Sequence, residues 1–325
     1  MDWHSAVVFR GLHVGNDFGV MIGCCKQDLR YAVGCYASIR HFMPQTRICF
    51  LYDGWETPDI IRNLPLATTL NRSNVQSEVL RDSSFGPGVT KIVAFFESPF
   101  EHFLFLDADT VVCGDLQRIN ELDRYDFIID KRGRYDDHAI SRWFFDTTQM
   151  KTCFPDFEFA SHREDYFCTG VFMARRGSIQ LDRYLEVLAK SREIPNLFKF
   201  WEMGMLNFLI FEAKDQGRIA VLGRPYQLVA SDHDPAILKA TFDAAIYSPD
   251  SVSSPSVFHF PSPKSFLFQK FSYSEPMTFF RRRFAREFQH LGSLRALLTL
   301  LLQDFKYIHY PSIRGQLRRL LKRSV

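Results

Sequence analysis

The sequence predicts an α/β protein built on a mostly parallel central sheet, and three observations predict it. Short apolar runs recur at Phe18–Cys25, Thr46–Tyr52 and Phe103–Leu106, rich in branched and aromatic residues and of strand length. Stretches with helical spacing separate them, from about Asp28 to Phe42 and from Thr90 to Phe96, as crossovers between parallel strands require. Finally, 46% of the 325 residues are apolar and 33 are Phe, enough for one large core or two smaller ones, which excludes a globally disordered chain.

Each element follows from local signals. The first helix closes at Pro44, and the second strand runs into the turn pair Asp53-Gly54. Residues 131–165 mix charged and aromatic side chains without a clear period and read as an ordered surface excursion. Strand character returns at Tyr166–Met173, and Ile179–Lys190 has helical spacing. From Ser248 to Pro263 the chain is rich in Ser and Pro, with Val257–Phe260 as a short strand inside it. No internal repeat occurs. The expected division is a catalytic domain over 1–278 and a basic helical tail over 279–325. The N-terminus lacks the basic and apolar regions of a secretory signal, and no run is long enough to span a bilayer. Seven cysteines without Cys-x-x-Cys spacing, several in apolar surroundings, read as thiols in a reducing cytoplasm.

The chemistry concentrates where the third apolar run ends, in Asp107-Ala-Asp109. Side chains two apart on a strand share a face, so both carboxylates are expected together at the C-terminal edge, where open α/β sheets bind ligands. Two hard oxygens suit Mg²⁺ or Mn²⁺, with open positions for a phosphate-bearing substrate. The non-catalytic alternative is a solvated loop, since Asp is common after strands. Two enzyme classes place Asp-x-Asp there. Haloacid-dehalogenase-type phosphohydrolases use the first Asp as nucleophile, and Asp107-Ala-Asp-Thr-Val111 fits their wording. Their motif closes the first strand, however, whereas here at least two strand-like runs precede it. Position favours a sugar-nucleotide-dependent transferase.

The order of motifs from about residue 17 to 265 resembles glycosyltransferase family 8, the glycogenin and bacterial lipopolysaccharide-glycosyltransferase type. Thr90-Lys-Ile92 precedes Asp107-Ala-Asp109 at the family spacing for a donor-binding Lys or Arg. Asp165-Tyr-Phe-Cys-Thr-Gly-Val171 is similar to the family's Phe-Asn-Ser-Gly-Val strand. Glu202-Met-Gly-Met-Leu-Asn207 is similar to its Asp-Gln-Gly/Asp-x-Leu-Asn segment, and His259-Phe-Pro-Ser-Pro-Lys264 to its His-Phe/Tyr…Lys segment. The resemblance implies a GT-A, Rossmann-like fold and a Mn²⁺ or Mg²⁺ ion held by Asp107, Asp109 and His259. It also implies Lys91 and Lys264 on the donor diphosphate and sugar, and catalytic positions at Glu202 and Thr169. The implied reaction is retaining transfer of a hexose from a nucleotide diphosphate sugar, UDP-linked by family, to a glycan, lipid-linked or protein acceptor. The family's base-stacking aromatic aligns with Asp28, and Tyr31, one helical turn on, is the substitute. Cys168-Thr169 stands for Asn-Ser and Met203 for Gln, departures that keep open a catalytically inactive binding protein on the same fold.

The last 45 residues lie outside these motifs. Eleven Lys and Arg face only Glu287 and Asp304, around the run Leu294–Leu302. Basic residues beside a leucine cluster predict peripheral contact with an anionic membrane, at its cytoplasmic face, rather than with nucleic acid. A C-terminal helix docked on the catalytic domain with a solvated basic face is the alternative.

Overall fold

The computed structural model describes residues 17–86, 88–200, 202–248, 254–261 and 273–306. Its strands, in chain order, are β1 (Phe18–Cys25), β2 (Arg47–Asp53), β3 (Ala67–Asn71), β4 (His102–Asp107), β5 (Thr110–Cys113), β6 (Phe127–Asp130), β7 (Val171–Arg175), β8 (Val221–Arg224), β9 (Gln227–Val229) and β10 (Ser256–His259). Seven form one sheet in the order β3-β2-β1-β4-β7-β6-β8. All run parallel except β7, which is antiparallel to both of its neighbours. The other three form a small sheet, β5-β10-β9.

Both faces of the large sheet are covered, which explains why its strands read as unbroken apolar runs. Along β4, Phe103 and Phe105 enter one core and Leu104 and Leu106 the other. The first core is heavily aromatic: Phe172 stacks on Phe95 at 5.5 Å and on Phe105 at 5.0 Å, both nearly coplanar. On the opposite face the helix Leu29–Phe42 packs beneath the helix Glu275–Glu287. At their crossing, a Cβ on Gly34 would stand 2.8 Å from the Met277 sulfur and 2.9 Å from Arg281 Cγ. A side chain at position 34 would crowd both of these residues.

Strand order locates the crevice. The chain builds β1, β2 and β3 outward in one direction, then returns to add β4 on the other side of β1. The ends of β1 and β4 therefore diverge at a topological switch point, and their C-terminal edges bound a ligand site. Gly23 of β1 is in register with Asp107 of β4.

Three expectations change. The run Phe103–Val112 is two strands in two sheets, so a turn at Ala108-Asp109, not a shared strand face, brings the carboxylates together. Residues 131–165 contain the helices Asp137–Trp143 and Thr147–Cys153 and bury Phe144, Phe145 and Phe159. Their aromatics fill the first core, and short elements leave too few turns for a visible period. The boundary expected at 278/279 falls inside the helix Glu275–Glu287, which buries Met277, Phe280, Arg281 and Phe284. The following helix, Ser293–Asp304, adds a buried ion cluster in which Asp304 meets Arg281 at 2.9 Å and Arg30 at 3.3 Å.

Candidate functional site

Three backbone-directed hydrogen bonds shape the turn after β4. Asp107 N–H donates to the Gly170 carbonyl at 2.8 Å, Ala108 N–H to the Gly23 carbonyl at 3.0 Å, and the Thr110 hydroxyl to the Asp107 carbonyl at 2.8 Å. β10 lies antiparallel to β5 with His259 opposite Thr110, and Phe260 N–H donates to the Asp109 carbonyl at 3.0 Å. Strand pairing thus delivers a distant imidazole to the carboxylates. His259 Nε2 lies 3.5 Å from Asp109 Oδ1 and 4.0 Å from Asp107 Oδ2. One potential ligand atom from each residue falls within 4.8 Å of the others. Two carboxylates and an imidazole so gathered suit a divalent cation. Gly170 closes the back: a Cβ there would stand 2.3 Å from His259 Cε1 and 2.9 Å from Asp107 Oδ2.

The far side of the imidazole is also held, as the non-ligating nitrogen of a metal-binding His usually is. The Gln227 amide lies 2.6 Å from Nδ1 and the Cys168 sulfur 3.7 Å from it. Gln227 is placed by the buried Asp130 carboxylate. That group accepts from the backbone N–H of Tyr226 and of Gln227 at 3.0 Å each, and from Arg132 Nε at 2.8 Å. Burial works against a charged imidazole, but the Cys168 sulfur and the Asp109 carboxylate outweigh it and push His259 up to about 10. Burial likewise opposes the Cys168 thiolate, while His259 and Arg132 draw its pKa down.

Lys91 ties this cluster to the next element. Its ammonium, 8% exposed, lies 3.1 Å from Asp107, 3.2 Å from Glu202 and 3.0 Å from the Thr169 carbonyl. Burial disfavours its charge, yet the two carboxylates hold it above the usual lysine range. Its three protons each have a protein acceptor, so Lys91 clamps Asp107 and Glu202 together. Glu202 opens the helix Glu202–Asp215, and its pKa is raised by burial and the Asp107 charge against the pull of Lys91. Thr169 is buried and contributes its carbonyl.

The remaining expected residues separate. Asp28 sits half-buried at the turn after β1, accepting from the Cys25 thiol at 3.0 Å, beside the crevice. Tyr31 is a correction: it has no exposed surface, Arg30 donates to its hydroxyl at 2.8 Å, and the Arg281 guanidinium lies 5.3 Å from its ring. Periodicity places a residue on a helix face, and here that face turns into the C-terminal helices, leaving no surface on which a base could stack. Lys264 lies outside the described residues.

No protein-family model and no curated protein matches the sequence. Solved structures do match. The galactosyltransferase LgtC, in complex with donor and acceptor sugar analogs, aligns with a TM-score of 0.53 at 13% identity, over 81% of this chain and 95% of that one. The bifunctional glycosyltransferase WbbM aligns with a TM-score of 0.50 at 12% identity, over 86% of this chain and 52% of that one. The chain has the GT-A fold of these glycosyltransferases.

On that GT-A frame, two supports of the cluster escaped sequence reasoning. Asp130 ends the apolar strand Phe127-Ile-Ile-Asp130 just as Asp107 ends Phe103-Leu-Phe-Leu-Asp107, and that shared signature could have found it. Gln227 had no signal of its own, because its importance comes from the pairing of β9 with β10, a tertiary fact.

Proposed function

We propose that the protein is a metal-dependent, retaining glycosyltransferase of the family-8 type, moving a hexose from a UDP-linked sugar to a saccharide, lipid-linked or protein acceptor. The observation that carries this reading is the convergence of Asp107, Asp109 and His259 at the β1/β4 switch point of a GT-A fold. The ordered motifs that resemble family 8 support it further. A divalent ion bound there would neutralise the departing diphosphate. Asp107, Asp109 and His259 would hold that ion, and Lys91, 3.1 Å from Asp107, would fix the direction of that carboxylate. Glu202, fixed by Lys91 at 3.2 Å, would position the donor sugar or face the positive charge developing at its anomeric carbon. In retaining transfer the acceptor oxygen bonds to the anomeric carbon from the face the phosphate leaves. The acceptor proton passes to the departing phosphate oxygen, and the protein need supply no separate base. The deciding experiment is a screen of UDP-sugars with Mn²⁺, reading nucleoside diphosphate release with and without acceptor extracts. Phosphate release without nucleotide would instead favour the phosphohydrolase.

The state of His259 sets the pH dependence of metal binding. With its pKa raised to about 10, the metal-free imidazole carries a proton through neutral pH, and a bound ion must displace it. Metal affinity should therefore rise with pH through the neutral range. Mn²⁺ titrations at a series of pH values from 6 to 8 check this, and a flat profile would remove His259 from the ligand set.

The proposed site of action is the cytoplasmic face of an anionic membrane. No helix among the described residues is long and apolar enough to cross a membrane. The helix Ser293–Asp304 buries Ala296, Leu300 and Asp304 and turns Leu294, Leu298 and Leu302 outward, with Phe305 just beyond. Exposed Arg282, Arg286 and Arg295 lie near that stripe. Apolar side chains flanked by arginines fit an anionic bilayer surface. All seven cysteines are free thiols, a state a reducing compartment maintains. Changing Leu294, Leu298 and Leu302 together to Ser should cut partitioning onto phosphatidylserine vesicles by about a hundredfold, at about 1 kcal/mol per leucine. Co-sedimentation measures it, and unchanged binding would assign the stripe another role.

A further inference from the structure

Just ahead of the helix that Glu202 opens, an aromatic pair stands in solvent. Trp143 and Phe200 stack with ring centroids 5.5 Å apart at 23°, yet are 40% and 58% exposed. Neighbouring aromatics of the same two segments, Phe144, Phe145 and Phe198, are buried, so the pair is held out of a core that lies immediately beneath it. The mounting is rigid. Lys199 N–H donates to the Phe144 carbonyl at 2.6 Å, Asp146 N–H donates to the Leu197 carbonyl at 2.9 Å, and Phe145 bridges Phe198. Phe200 has φ +49°, a left-handed conformation that a bulky residue adopts only when its surroundings impose it. Phe200 lines a cavity of about 560 Å³ together with Arg142, Arg192, Asn196 and Lys199, and Trp143 adjoins it through Arg142, whose guanidinium lies 5.0 Å from the indole centroid.

The pair also lies close to the reaction centre. Phe200 is two residues from Glu202, at most about 7 Å between their Cα atoms, and Glu202 is tied through Lys91 to Asp107. We propose that Trp143, Phe200 and the adjoining cavity form a saccharide subsite that binds a sugar ring of the acceptor. The chemistry matches on both counts. A pyranose presents a face of C–H groups that packs on an aromatic ring, and an edge of hydroxyls that accepts hydrogen bonds from Arg, Asn and Lys. A few convergent polar groups around an apolar floor are what fixes a small ligand's orientation. The proposal rests on the transferase reading and names the acceptor side of that site.

The test uses the full chain on an array of immobilised oligosaccharides. Wild type should bind a defined subset of glycans. Trp143→Ala should weaken that binding by about tenfold while Trp143→Phe, which keeps a ring, stays within about twofold. Because Trp143 is exposed, the thermal midpoint of each variant should match wild type, separating lost binding from lost folding. Asp107→Asn should keep the array signal, since the subsite needs no metal. Equal binding by wild type and Trp143→Ala, or no glycan bound by wild type, overturns the subsite. A retained array signal with no nucleoside diphosphate released from any UDP-sugar, with or without acceptor, would instead overturn the transferase reading and leave the saccharide site standing.

Discussion

Asp107→Asn and Asp109→Asn should each lower divalent-dependent nucleoside diphosphate release by about a hundred- to a thousandfold, the range seen when one stabilising group is removed from a preorganised site. Asparagine is the informative replacement. Asp107 is an acceptor for the buried Lys91 ammonium at 3.1 Å, so alanine would leave that charge short of a partner and mix a folding effect into the result. Asparagine keeps an acceptor oxygen and removes the charge the metal needs. Mn²⁺ binding measured by calorimetry should weaken in parallel with turnover, while the unfolding midpoint moves little. Turnover at the wild-type rate in either variant, or in excess chelator, would sink the metal assignment. The two positions also separate the chemistries. A phosphohydrolase with Asp107 as nucleophile would form a phosphoaspartyl enzyme and release phosphate, which a transferase site does not do.

What could be read from the chain follows from which forces act locally. A strand buried on both faces must be apolar throughout, so β1, β2 and β4 were visible as runs, and the carboxylate at the end of β4 marked the functional edge. His259 was reached through its motif, but its delivery depends on β10 pairing with β5, which no local pattern encodes. Lys91 lies beside Asp107 and Glu202, and sequence spacing alone did not say which acceptors surround it. Tyr31 failed for a related reason. Helical spacing put it near the first strand's end, and the C-terminal helices, invisible as partners from sequence, cover it. The excursion at 131–165 hid its aromatics' burial behind short helices and supplied Trp143, whose exposure only the folded chain reveals.

The largest stability effect is expected far from the metal cluster, at Asp304. Its carboxylate is wholly buried and meets Arg281, itself 1% exposed, through two hydrogen bonds at 2.9 and 3.1 Å, and Arg30 at 3.3 Å. Asp304→Ala should destabilise the protein by about 3–5 kcal/mol, because two guanidinium groups would remain buried without their carboxylate. Desolvating three charges is itself costly, so the cluster need not stabilise relative to an apolar replacement. The triple change Arg30→Met, Arg281→Met and Asp304→Leu should therefore recover most of that loss, which denaturant titration of the single and triple variants would show. A loss below about 0.5 kcal/mol for Asp304→Ala, the scale of an ordinary surface substitution, would mean the cluster is solvated in solution. The position matters for function because Arg30 lies in the first turn of the helix that follows β1, two residues from Asp28 at the crevice. Asp304 thus fastens the helix bearing the outward leucines to the wall of the crevice, and weakening it should loosen the leucine stripe and that wall together.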